Sequence, residues 1–142
     1  MIYLDTGCLV KLYYPEPESP RVAKLVSGET IAFVALHEIE LTNALELKLF
    51  RREATPSQVR MTGALVEDDV RAGILHRPAM PWDDVWREAT ALAKAYTRTH
   101  GCRSLDILHC AAARTLSAAS FITTDARQRK VAVKAGLTCP RV

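Results

Sequence analysis

The sequence predicts an α/β fold built on a parallel sheet, and two observations predict it. Strand-like apolar runs alternate with helical patterns, and those runs are apolar on both faces, as strands covered on both sides are. The chain has 142 residues, 49% hydrophobic and 25% charged. That suits one domain across residues 1–142 with a substantial core. No internal repeat, low-complexity tract or linker interrupts it.

The elements follow in order. Ile2–Leu4 reads as a short buried strand, and Cys8–Tyr13 as a helix stopped by PEPESP. Arg21–Val26 has the period of a short helix. After the turn at Ser27-Gly28-Glu29, the run TIAFVAL (Thr30–Leu36) is apolar and rich in β-formers, hence a second strand. His37–Arg52 is a helix. Thr55-Pro56 starts the next one, with Thr as N-cap and Pro at the first helical position, and that helix runs to about Arg71 and ends at Gly73. Gly73–Met80 reads as a short strand broken by Pro78. Trp82–Thr99 carries apolar residues at helical spacing and is closed by Gly101. Ser104 opens a helix that is apolar nearly all round, so it is expected to be buried. Ser120–Thr123 is a strand, and Ala126–Ala135 a last helix before Gly136.

Net charge is +3 but unevenly spread. Residues 1–93 carry ten Lys+Arg against fourteen Asp+Glu, whereas residues 94–142 carry nine against two, Asp106 and Asp125. A basic segment of this kind is either a solvated face or a surface for a polyanion such as nucleic acid. Arg127, Arg129, Lys130 and Lys134 are its candidates for phosphate contacts. The four cysteines form no CxxC pair and no zinc spacing, which suits reduced core thiols and a cytoplasmic setting. No apolar run approaches the roughly 20 residues of a membrane span, and no basic leader opens the chain.

The carboxylates carry the chemistry. Asp5 follows the first strand, Asp125 follows the last, and Glu38 and Glu40 open the helix after the second. In open parallel sheets, ligands bind at that edge. Asp106 is the exception, in the first turn of the buried helix. Each has a structural reading of its own: Asp5 and Asp125 suit helix caps, with Gln128 reaching back in a capping box, and Asp106 suits the helix dipole. Together they mean more. Acids brought within ~4–6 Å repel one another, a divalent cation removes that cost, and hard oxygen ligands suit Mg²⁺ or Mn²⁺. Acids beside a basic surface then suggest metal-assisted attack on phosphate.

Four blocks carry a resemblance: IYLDTGCLVKLY, ALHEIELTNALELK, AYTRTHGCRSLDILHCAAAR and SFITTDARQRKVAVKAGL. In this order, over almost the whole chain, the sequence resembles PIN-domain ribonucleases, above all the VapC-type toxins of toxin–antitoxin pairs. The resemblance implies a three-layer α/β/α fold with a central, mainly parallel sheet flanked by helices. It implies that Asp5, Glu40, Asp106 and Asp125 are the catalytic acids, with Asp5 and Asp106 the most direct ligands of Mg²⁺ or Mn²⁺. Thr6 and Thr123 fall where the family often has a hydroxyl near the metal. The implied reaction is hydrolysis of RNA to a 5′-phosphate and a 3′-hydroxyl. The implied partners are RNA, a cognate antitoxin and a second copy of the chain.

Other residues read more plainly. His109 shares a helix face with Asp106 and reads as a core histidine, with a ligand role the alternative. Cys8 reads as packing, since no His–acid set accompanies it. Trp82 and Trp86 read as core or interface anchors. An aspartyl-phosphate phosphatase is the rival enzyme, but the second acid it needs two residues after Asp5 is Gly7. The rival from another class is a catalytically silent PIN-like binding module, which loss of an acid would support; all four acids are present.

Overall fold

A computed structural model describes residues 1–142. Its centre is four two-residue strands: β1 (Tyr3–Leu4), β2 (Ile31–Ala32), β3 (Leu75–His76) and β4 (Phe121–Ile122). β1 pairs in parallel with β4, Tyr3 opposite Phe121, and β2 pairs in parallel with β3, Ile31 opposite Leu75. A parallel bridge from Ile2 to Ile31 joins the two ladders. The lateral order is therefore β3-β2-β1-β4. The chain builds outward from β1 on one side, then returns to the other side with β4. That reversal makes the β1/β4 boundary a topological switch point, where the carboxyl ends of the strands open a crevice.

The helices are α1 (Thr6–Tyr13), α2 (Ser19–Val26), α3 (Ala35–Phe50), α4 (Pro56–Arg71), α5 (Trp82–Leu92), α6 (Arg98–His100), α7 (Ser104–Thr115) and α8 (Ala126–Lys134), with a π-helical turn over Ala93–Thr97. Strand side chains alternate between the two faces of the sheet, and the core divides accordingly. Tyr3, Ala32 and Phe121 pack with residues of α5, α7 and α8. Leu4, Ile31, Leu75 and Ile122 pack with residues of α1 to α4. The result is the expected three-layer α/β/α arrangement around a parallel sheet. No helix is long and apolar enough to cross a membrane.

Some boundaries moved. The run Thr30–Leu36 pairs as a strand only at Ile31–Ala32, and α3 begins at Ala35 rather than His37. Val34 and Leu36 are apolar because they enter the core beside α7, which a sequence cannot distinguish from strand burial. His37 closes that first turn: its Nδ1 accepts the Val34 N–H at 3.1 Å, and its Nε2 donates to the Leu4 carbonyl at 2.8 Å. The cap of α7 is Arg103, not Ser104. The start of α4 is as expected, with Thr55 and Gln58 exchanging hydrogen bonds of 3.2 and 2.8 Å. The helix after Pro81 passes through the π-helical turn and closes at Gly101, whose φ of 66° suits glycine.

His37 is fully buried, and burial, reinforced by the nearby His109, pulls its pKa from 6.5 to about 3. Between those values the unfolded chain binds a proton that the folded chain does not. Stability is therefore complete above about pH 6.5 and falls on acidification, by about 1 kcal/mol per pH unit. Urea unfolding followed from pH 7 to pH 4 should show this slope, and His37→Gln should flatten it. An equal slope in the variant would assign the titration elsewhere.

Candidate active site

Asp5 leaves the end of β1 as the N-cap of α1. Its Oδ1 accepts the Cys8 N–H at 2.6 Å, and its Oδ2 accepts the Thr123 hydroxyl at 2.6 Å. Thr123 follows β4, so this contact spans the switch point. The same hydroxyl lies 2.7 Å from Gln128 Oε1 and accepts the Asp125 N–H at 2.9 Å. Asp125 caps α8, its Oδ1 accepting from Arg127 N and Gln128 N at 2.7 and 2.9 Å. The expected capping box is half formed. Gln128 does not reach back to Asp125 but is buried between Thr123 and α7, its Nε2 donating to the Asp106 carbonyl at 3.1 Å.

Asp106 is half-buried at the third position of α7, and its carboxylate takes the Arg103 N–H and Nε–H at 3.2 and 3.1 Å. Arg103 is exposed, so the pairing is weak and exchangeable. Glu40 comes from α3. Its Oε2 accepts the buried Thr6 hydroxyl at 2.6 Å and lies 2.5 Å from His109 Nε2. His109 Nδ1 is 3.0 Å from the Tyr3 hydroxyl. Burial, reinforced by the Glu40 charge, holds the Tyr3 pKa well above its ordinary value. Tyr3 therefore stays a phenol beside Nδ1, and His109 presents Nε2–H to Glu40. Burial alone would raise the Glu40 pKa, but the hydrogen bonds from His109 and Thr6 outweigh it and the pKa is lowered. Glu40 is anionic at neutral pH.

One hydrogen-bonded network thus joins Asp5, Thr123, Asp125 and the backbone of Asp106, and a second joins Glu40, Thr6 and His109. Adjacent residues of the chain, Asp5 and Thr6, connect the two. Glu38 stays outside, exposed and 2.8 Å from Arg77. Asn43, placed by its helical spacing to support Glu40, is exposed and makes no bond to it. His109 takes that place. It is a core histidine, as expected, and also the direct support of Glu40. Its three-residue spacing from Asp106 was the available signal, masked by the apolar run around it.

Among the phosphate-contact candidates, Arg127 is exposed and 3.9 Å from Asp125, and Lys130 and Lys134 are exposed. Arg129 is half-buried and donates to the Cys139 carbonyl at 2.5 Å. All four cysteines are free. Burial, reinforced by Asp5, pushes the Cys8 thiol far above its ordinary range, so Cys8 is inert as a nucleophile.

The donors in the crevice are hard oxygens, the chemistry that Mg²⁺ or Mn²⁺ requires. In the present rotamers no three His, Cys, Asp or Glu side chains converge closely enough to hold an ion. The oxygen-donor chemistry suits a divalent cation, while Asp106 is paired here with the exposed Arg103.

Oxygen-donor acids at a parallel-sheet switch point, beside a basic C-terminal third, define a protein of the α/β class suited to phosphate chemistry. The PIN domain profile matches residues 2–134, and the chain belongs to the PIN-domain family. Among solved structures, FitAcB from Neisseria gonorrhoeae is similar at 21% identity, with 98% of this chain and 96% of that chain covered and a TM-score of 0.64. VapBC2 from Rickettsia felis, bound to a DNA fragment from their promoter, is similar at 17% identity, with 99% and 98% covered and a TM-score of 0.60. FitAB bound to a DNA fragment is similar at 20% identity, with 99% and 94% covered and a TM-score of 0.64. At these identities the likeness establishes the fold. No curated protein sequence matches significantly.

Proposed function

We propose that the chain is a divalent-metal-dependent endoribonuclease and the toxin of a toxin–antitoxin pair, held inactive by a small cognate antitoxin and working as a homodimer. PIN domains are as a class nucleases, which makes hydrolysis of nucleic-acid phosphodiesters the coarse reading. The observation that carries the finer one is the bonding of Asp5 to Thr123 across the switch point, with Glu40 fixed beside it by Thr6 and His109. The block-by-block resemblance to VapC-type toxins supports RNA as the substrate and an antitoxin as the partner.

Asp5 and Asp106 would hold Mg²⁺ or Mn²⁺, with Asp125 completing the set. A bound ion supplies charge neutralisation at the phosphate and a more acidic water. The chain's own contribution is positional. Both hydrogen bonds to Glu40 fall on Oε2, which leaves Oε1 free to take a proton from the attacking water. Arg127, Arg129 and Lys130 supply positive charge along α8 for the RNA backbone. An Arg or Lys from the antitoxin tail, entering among the carboxylates, would compete for the metal's place.

Incubation of purified protein with total RNA, with and without Mg²⁺ or Mn²⁺, tests the reading. Metal-dependent cuts ending in 5′-phosphate and 3′-hydroxyl are expected, and intact RNA in every metal would refute it. Expression of the chain alone should arrest growth. Harmless expression of an active, soluble protein would remove the toxin role and leave the nuclease.

A further inference from the structure

Thr123 and Thr124, just after β4, also line a separate cavity of about 380 Å³. Three arginines distant in sequence meet on its other walls: Arg21 from α2, Arg129 from α8, and Arg141 beyond α8. Glu18 is its one acidic lining residue, and none of the three arginines takes part in any ion pair of the protein. Arg21 and Arg141 are exposed. Arg129 is anchored through Nη2 on the Cys139 carbonyl, while its Nε is buried without a hydrogen-bond partner.

Three guanidiniums face a single acidic side chain, Glu18, around one cavity, and that excess of positive charge is relieved when an anion enters. The planar guanidinium fork matches phosphate oxygens in pairs, which a flexible ammonium does not. The location selects the anion further. The cavity wall and the Asp5 network share Thr123, so a phosphate bound there lies one residue from the candidate catalytic acids.

We infer that this cavity is a subsite for a backbone phosphate of the RNA neighbouring the scissile one, gripped by Arg21, Arg129 and Arg141. The inference rests on the nuclease reading and deepens it. It sets the path of the substrate, which crosses the crevice from Glu40 past Asp5 and leaves over the α2 and C-terminal side. It also adds Arg21 and Arg141, which lie outside the four blocks of the resemblance, to the binding residues.

The test is binding of a fluorescein-labelled, mixed-sequence single-stranded RNA to the full chain carrying Asp5→Asn, followed by anisotropy across a salt series. Arg21→Gln and Arg141→Gln should each weaken binding about tenfold at low salt and flatten the log–log salt slope by about 0.7. Arg71→Gln, on α4 and outside the cavity, should change neither. Unchanged affinity and slope in both cavity variants would overturn the inference. Equal weakening by Arg71→Gln would also overturn it, as a general charge effect. These outcomes are independent of cleavage: a wild type that cuts no RNA sinks the nuclease reading, while flattened slopes still support the phosphate site.

Discussion

Asp5→Asn should abolish RNA cleavage and leave the protein at least as stable as before. The Thr123 hydroxyl has one proton and two close acceptors, Asp5 Oδ2 at 2.6 Å and Gln128 Oε1 at 2.7 Å. Gln128 cannot turn its amide around without pointing oxygen at the Asp106 carbonyl, which now accepts its Nε2–H. One acceptor therefore goes short. An asparagine amide resolves the conflict: its oxygen still caps Cys8 N–H, its nitrogen donates to Thr123, and Thr123 donates to Gln128. The substitution also removes a negative charge from among acids that repel one another. Metal-free melting temperature should stay level or rise, by up to about 1 kcal/mol equivalent, while cleavage in Mn²⁺ drops below detection. A clear fall in metal-free stability would mean that the charge of Asp5 serves the helix cap more than the crevice.

Glu40→Gln should lower cleavage by about 10²–10⁴-fold at saturating Mn²⁺, the span expected for loss of a positioned proton acceptor. Glu38→Gln should change it little. The two glutamates are two residues apart on one helix, yet Glu40 lies against Thr6 and His109 while Glu38 is exposed with Arg77. The amide of Glu40→Gln can still accept from Thr6 and His109, so the loss should appear in turnover rather than in folding. Cleavage by both purified variants in one metal series decides it. The reverse ranking would move the acid to Glu38 and to the other side of α3.

Local chemistry made much of the fold legible. Thr55-Pro56 marks the start of α4, and Gly101 marks a helix end, because capping and positive φ depend on residues next to one another. The extent of β2 was hidden, since Val34 and Leu36 are apolar for the sake of helix packing rather than strand pairing. At the site, Asp5 and Asp125 announced themselves by following apolar runs. His109 did not, because a buried histidine in an apolar helix reveals its partner only when α3 and α7 are docked. Arg21 and Arg141 were invisible for the same reason: 120 residues separate them, and only the folded chain makes them neighbours.

Three of the four acids hold helix starts: Asp5 for α1, Asp106 for α7 and Asp125 for α8. This bears on how such a protein drifts once its chemistry is no longer needed. Replacement by alanine would forfeit the cap at Asp5 or Asp125, or the Arg103 N–H bond at Asp106, at about 1 kcal/mol each, whereas asparagine can keep that bond and loses only the charge. Descendants that fall silent should therefore accumulate asparagine at these positions before anything smaller. An intact aspartate, retained for folding alone, is weak testimony to an active enzyme. Glu40, which caps nothing, is the position where decay should register first.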